Sequence, residues 1–163
     1  MKRQKKFKVL IVCTGNTCRS PMAKVILEQL LKENKLDKKV LVDTAGMISL
    51  EGYPASRTAV EVCREYGLDL SAHLSKGITD RLVQDADLII VMEEMHEVVM
   101  VKNNAETPKK IKLLSGFAPD KSIGPDIQDP YGGDKYLYQL AFKDIKLCLE
   151  GLIPYLKEQL TML

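Results

Sequence analysis

An α/β fold of a single domain, with a parallel four-stranded sheet and helices on both of its faces, is the architecture that this 163-residue sequence predicts. Three observations carry the prediction. Short apolar runs alternate with segments of helical period along the whole chain. The runs are apolar at nearly every position, as strands buried on both faces must be. A turn of small and polar residues follows the first run, at the carboxyl end of a strand, where such sheets bind ligands.

Lys8 to Val12 reads as the first strand, short and β-branched. Pro21 to Leu31 follows as a helix, with Met22, Ala23, Ile26, Leu27, Leu30 and Leu31 at helical spacing; Ser20 has the side chain of an N-cap and Pro21 the fixed φ of a first helical residue. Lys39 to Ala45 is the second strand, and Ala55 to Tyr66 a helix closed by Gly67. Thr79 caps a short helix, Asp87 to Met92 is the third strand, Glu94 to Lys102 a helix, and Lys110 to Leu114 the fourth strand. Asp134 to Leu160 is a long last helix, interrupted near Gly151 and Pro154. Between them, Ser115 to Gly133 has neither period. At nineteen residues it exceeds an ordinary connection, which marks a functional loop.

Composition narrows the function classes. An apolar share of 45% suits a globular chain with a substantial core, and residues 1–163 read as one domain preceded by a basic leader at 1–7. The net charge of +2 is concentrated there: without Lys2, Arg3, Lys5, Lys6 and Lys8 the chain has 19 basic against 22 acidic residues, a balance of −3. That balance argues against a nucleic-acid surface, and the leader reads as a solvated end. No run is long enough to span a bilayer and none has the layout of a signal peptide, so a cytoplasmic protein without membrane attachment is expected. Cys13, Cys18, Cys63 and Cys148 show no Cys-x2-Cys spacing and no neighbouring His. Free thiols are expected, with no metal and no cofactor. Cys63 and Cys148 suit buried helix faces, whereas Cys18 shares a loop with Cys13.

The chemistry concentrates in Cys13-Thr14-Gly15-Asn16-Thr17-Cys18-Arg19-Ser20-Pro21. A turn aimed at a helix N-terminus presents successive N–H groups and the positive end of the helix dipole, which favour a bound phosphate and the thiolate form of a cysteine beside it. Gly15 and Asn16 both tolerate the positive φ that turns such N–H groups inward. Arg19 supplies a planar fork for two phosphate oxygens. Ser20 suits a helix cap, a donor to the thiolate, or both. Thus Thr14 to Ser20 would hold a phosphoryl group while Cys13 attacks phosphorus. The leaving group then needs a proton. The late run Asp126-Ile127-Gln128-Asp129-Pro130-Tyr131-Gly132-Gly133-Asp134 offers three carboxyls, of which Asp129, fixed by Pro130, is the candidate acid ahead of Asp126 and Asp134. Met47 to Pro54, with Glu51 and Tyr53, suits the facing wall. Of the two histidines, His73 reads as structural and His96 as partly exposed on its helix.

Cys-x5-Arg-Ser-Pro near the start, with a late Asp-Pro-Tyr, resembles the low-molecular-weight protein tyrosine phosphatases. Thr44-Ala45-Gly46, the segment Leu70 to Lys76, and Asp87 to Met92 resemble further segments of that family, so the likeness spans nearly the whole chain. It implies a flavodoxin-like phosphatase fold and a cysteinyl-phosphate enzyme. Cys13 would be the nucleophile, Arg19 the phosphate clamp and Asp129 the general acid, with Asn16, Ser20, Thr44 and His73 bracing the loop. Thr44 replaces the family's usual serine but keeps a hydroxyl.

The substrates implied are phosphorylated protein side chains, with inorganic phosphate as product. An arsenate reductase of the same architecture needs a late pair of resolving cysteines, and only Cys148 lies late; a non-catalytic phosphoprotein binder needs no thiolate. Thr17 and Gly132 stand where tyrosine-specific members carry an apolar residue and a second aromatic. The loop Cys-Thr-Gly-Asn-Thr-Cys-Arg resembles that of the protein-arginine phosphatase branch. A guanidinium brings N–H donors that the Thr17 hydroxyl can accept, whereas a phenol ring prefers an apolar wall. Thr17 and Tyr131 are therefore the expected substrate-pocket residues, with phosphoarginine favoured over phosphotyrosine.

Overall fold

The computed structural model describes residues 4–103 and 107–163, so Lys2 and Arg3 of the basic leader lie outside the described residues. Four strands, β1 (Phe7–Cys13), β2 (Val40–Gly46), β3 (Leu88–Val91) and β4 (Ile111–Leu113), pair in parallel in the order β2-β1-β3-β4. The helices are α1 (Arg19–Glu33), α2 (Arg57–Glu65), α3 (Asp80–Asp85), α4 (Glu94–Asn103) and α5 (Lys135–Thr161). Because β1 is followed by β2 on one side and flanked by β3 on the other, the crevice beyond the carboxyl ends of β1 and β3 is the sheet's topological switch point.

Alternation along the strands builds two cores. Val9, Ile11, Leu88 and Ile90 face α1, α2 and α5 through Met22, Leu27, Val62, Phe142 and Leu149. Leu10, Val12, Ile89 and Val91 face α3 and α4 through Val83 and Met100. Each such side chain contributes roughly 1.5–3 kcal/mol on full burial. Helices therefore cover both faces, as the patterning predicts. Gly67 closes α2 at φ +74°, and the Thr79 hydroxyl accepts from the Leu82 N–H at 3.2 Å.

Three local expectations fail for physical reasons. The helix after the Cys13 loop begins at Arg19, with Cys18 as its N-cap and no capping side chain, so Ser20 is already helical and its hydroxyl is free for other work. The last helix is continuous through Gly151 and Pro154. Pro154 lies on the exposed side, where the Glu150 carbonyl it leaves unpaired can be hydrated. Gly151 is a crossing point, since a Cβ there would stand 1.9 Å from the Phe117 carbonyl oxygen. Leu114, expected to end the fourth strand, instead joins the first three residues of the long loop in a 3-10 turn, Leu114–Phe117, that packs at that crossing. Among the described residues no helix is long and apolar enough to cross a membrane.

Candidate active site

Cys13 is the last residue of β1, paired with Gly46 of β2, and the chain turns through Thr14 to Cys18 before α1 begins. Asn16 sits in the left-handed region at φ 56° and is fully buried; Gly15, contrary to expectation, is not at positive φ. The Asn16 N–H donates to the Cys13 Sγ, 3.3 Å away. Its side chain donates to the Ser20 Oγ at 2.8 Å and accepts from the Lys76 N–H at 3.0 Å, and its carbonyl lies 2.6 Å from His73 Nε2. The Ser20 Oγ lies 3.0 Å from the Cys13 Sγ. Ser20 thus serves the sulfur rather than the helix end.

Asn16 thus joins Ser20 and His73 in one network at the loop, and Lys76, which sequence reasoning passed over, belongs to it too. Lys76 is itself held by Asp43, with Nζ at 2.7 and 2.8 Å from the two carboxylate oxygens. Thr44 is buried on β2, and among the described residues its hydroxyl makes no hydrogen bond to the loop. The closeness there comes from Gly46 instead: a Cβ on it would lie 3.0 Å from the Thr14 carbonyl oxygen and from the Gly15 carbonyl carbon.

Arg19 is 1% exposed. Its Nη1 donates to the Glu93 Oε1 at 2.5 Å and to the Ile127 carbonyl at 2.7 Å, while Nη2 lies 3.3 Å from the Thr14 Oγ1 and 3.5 Å from the Asp129 Oδ2. One nitrogen is anchored in protein, and the other faces the loop and the candidate acid. Neither Glu93 nor Ile127 was singled out from sequence. Their signals were present: an acid two residues beyond a buried strand of a parallel sheet, and a lone apolar residue in a polar loop.

A pocket of about 250 Å³ is lined by Cys13, Thr14, Gly15, Thr17, Cys18, Arg19, Ile48, Leu50, Asp129 and Tyr131. Asp129 is separated from its rivals by what each does. Its Oδ1 accepts from the Tyr131 N–H at 3.2 Å and its carboxylate reaches the pocket. Asp126 accepts from the Glu94 N–H at the start of α4, and Asp134 caps α5 through the Leu137 N–H. The facing wall is formed by Ile48 and Leu50, while Glu51 is turned away to accept from the Gly77 N–H at 2.8 Å and Tyr53 is exposed outside the pocket.

His96 is the clearest correction among the side chains. It is buried, its Nε2 lies 3.0 Å from the Thr14 Oγ1, and its Nδ1, also buried, has no partner among the described residues. Burial holds its pKa below the ordinary 6.5, against the pull of Glu93. Burial does the same to His73, partly offset by its contact with Asn16. Cys63 and Cys148 are buried, and burial pushes their thiols up to about 12 and about 11, so both are inert at neutral pH. Among the described residues no group of His, Cys, Asp and Glu could hold a metal ion.

The sequence profile described as "Low molecular weight phosphotyrosine protein phosphatase" matches residues 8–162. The chain belongs to the low-molecular-weight protein tyrosine phosphatase family. It is therefore a phosphatase, a hydrolase of the low-molecular-weight tyrosine and arginine class. A probable low molecular weight protein-tyrosine-phosphatase, EpsP, of Ralstonia nicotianae is 35% identical over 91% of this chain and 95% of its own length. A protein-arginine-phosphatase of Geobacillus stearothermophilus is 36% identical over 94% of this chain and 96% of its own. The low molecular weight protein tyrosine phosphatase structure from T. tengcongensis superposes with a TM-score of 0.83 at 35% identity, covering 92% of this chain and 99% of that one. Relatives of both substrate classes thus stand at nearly equal distance.

Proposed function

We propose that this family member hydrolyses phosphorylated protein side chains through a cysteinyl-phosphate on Cys13, with phosphoarginine favoured over phosphotyrosine. The observation that carries the reading is the convergence of Cys13, Arg19 and Asp129 on one pocket. The Cys13 thiolate attacks phosphorus as the bond from phosphorus to the leaving nitrogen or oxygen breaks. Asp129 gives that atom its proton. Asp129, now a carboxylate, takes a proton from water as the water attacks phosphorus, the S–P bond breaks, and inorganic phosphate leaves. Ser20 and the Asn16 N–H stabilise the departing thiolate. Arg19 and the N–H groups of Thr14 to Ser20, those of Gly15, Thr17 and Cys18 included, carry the charge of the equatorial oxygens.

Support for phosphoarginine is the Thr17 hydroxyl in the pocket wall and the 36% identity to an arginine phosphatase. Ile48, Leu50 and Tyr131 favour the second reading, phosphotyrosine, because an aromatic ring gains from apolar walls. We place the enzyme in the cytoplasm, acting as a single domain without nucleic acid or membrane.

Two measurements test this. Cys13→Ser abolishes turnover while leaving the fold intact, and rapid quench of the wild type finds phosphate on Cys13; a loss below about tenfold overturns the covalent route. Thr17→Ile exchanges a hydroxyl for apolar atoms at constant branching. It moves the ratio of kcat/KM values toward phosphotyrosine by roughly 10- to 150-fold, the worth of a hydrogen bond to a charged group. A wild type that prefers phosphotyrosine and a ratio unmoved by the substitution would make Thr17 a bystander.

A further inference from the structure

Thr14 is the first loop residue after Cys13, and its hydroxyl has two neighbours: His96 Nε2 at 3.0 Å and Arg19 Nη2 at 3.3 Å. A guanidinium can only donate, so Thr14 Oγ1 accepts from Arg19. What passes between Thr14 and His96 depends on where the imidazole carries its proton, and the other end of the ring decides this. His96 Nδ1 is buried and has no partner among the described residues. A proton there would be an orphaned buried N–H, whereas an unprotonated Nδ1 leaves a bare lone pair, the more tolerable of the two. The imidazolium would carry the same orphaned N–H and a buried charge as well. The charged groups around the ring are Glu93 beyond β3, Arg19 on α1, and Asp126 and Asp129 in the long loop; burial outweighs the three carboxylates and keeps the ring neutral. The proton is therefore on Nε2, and His96 donates to Thr14.

Both lone pairs of the Thr14 oxygen are then filled, one by Arg19 and one by His96, so its own proton must point in the remaining direction. Thr14 lines the pocket beside Cys13 and Arg19. We propose that His96 is a positioning residue that holds the Thr14 hydroxyl with its proton aimed into the pocket, making Thr14 a hydrogen-bond donor to a phosphoryl oxygen. The inference rests on the reading of the Cys13 loop as a phosphate site. It adds a side-chain donor to the backbone N–H groups there and assigns a task to a buried histidine far along the chain. When Arg19 turns toward a bound phosphoryl group, His96 keeps hold of Thr14.

Nitrogen-15 NMR of the imidazole in the wild type, followed from pH 8 to pH 5, reads the first step directly. The neutral Nε2–H form is expected throughout the upper part of that range; a Nδ1–H form, or an imidazolium at pH 7, overturns the inference even if no variant folds. The second arm compares wild type, Thr14→Val, His96→Phe, His96→Gln and the Thr14→Val/His96→Phe double variant, using kcat and KM for an aryl phosphate and competitive inhibition by inorganic phosphate. Thr14→Val weakens phosphate inhibition and lowers kcat/KM by roughly 10- to 150-fold, His96→Phe does so toward the low end of that range, and the double variant loses no more than Thr14→Val alone. His96→Gln, which keeps an N–H at similar reach, recovers most of the loss. Losses that multiply in the double variant, or a glutamine variant no better than phenylalanine, overturn the role. Failure of the Cys13 reading would look different: no phosphate on Cys13 in the wild type, whatever His96 does.

Discussion

Replacing Gly46 by alanine tests how tightly the phosphate loop is packed against the sheet. The added Cβ would stand 3.0 Å from the Thr14 carbonyl oxygen, 3.0 Å from the Gly15 carbonyl carbon and 3.1 Å from the Asn16 Cβ. Carbon contacts are comfortable at about 3.5–4.0 Å, so a few tenths of an ångström must be found. Gly46 cannot give, because its N–H donates to the Lys76 carbonyl and its own carbonyl accepts from the Ile78 N–H. The loop therefore moves. Overpacking of this kind costs about 1–3 kcal/mol, which for a chain of this size lowers Tm by roughly 2–12 °C. A displacement of 1 Å in a catalytic constellation can cost about 100-fold, so a third of that should lower kcat/KM by about 3- to 10-fold. Thermal melts, aryl-phosphate kinetics and phosphate inhibition measure the effect. Gly15→Ala is the control for stability, since its Cβ meets nothing nearer than 3.7 Å and its φ is not positive. A Gly46→Ala protein that melts within a degree of wild type and keeps its activity within twofold would refute the reasoning.

Asp129→Asn should slow turnover by about 10²–10⁴ on a substrate with a poor leaving group and far less on an activated aryl phosphate; a larger effect from Asp126→Asn, which touches only the start of α4, would move the acid elsewhere. His73 and His96 are both held below the ordinary 6.5 in the folded state, so the unfolded chain takes up protons first as pH falls. Stability should be level above pH 7 and decline as pH drops below 6.5, and His73→Gln should flatten part of that decline in melts run from pH 8 to pH 5. Gly151→Ala should destabilise by at least about 1–3 kcal/mol with kcat/KM preserved in what remains folded, because its Cβ would collide with the Phe117 carbonyl far from the thiol; chemical denaturation curves check it.

The two central strands, β1 and β3, were legible because they are buried on both faces, and Leu88–Val91, fully apolar, has no other reading. Cys13, Arg19 and Asp129 could be singled out because such residues are rare at that spacing, and the structure brings the three to one pocket. What escaped was whatever depends on a neighbour far along the chain. Ser20 has the look of a cap in its own segment, yet Asn16 and Cys13 claim its hydroxyl. His96 lies in a helix whose Met95 and Val98 are exposed, so periodicity could not show that its ring turns in toward Thr14. Glu93 and Ile127 come from two different elements and meet only at Arg19. Gly151 resembled a helix breaker until the carbonyl that crosses it, 34 positions earlier at Phe117, was in view.

The loop that carries Asp129 is fastened at several places: Phe117 against Gly151, Pro125 to the Ser115 hydroxyl, Asp126 to the Glu94 N–H, Ile127 to the Met92 carbonyl and to Arg19, and Asp134 at the head of α5. Those fastenings divide it into two spans of different character. The exposed bow from Pro119 to Ser122 hangs between Ala118 and Ile123, which pack on the core, and lengthening it costs only about 0.6 kcal/mol per doubling, so it can take up inserted residues without disturbing the acid. The stretch from Ile127 to Asp134 has no such slack, because the residue that fixes the guanidinium stands two places before the carboxyl. The guanidinium and the candidate acid are thus registered to one another through one backbone carbonyl, and sequence change can accumulate in the exposed bow while the stretch after Ile127 keeps the spacing that the proposed chemistry demands.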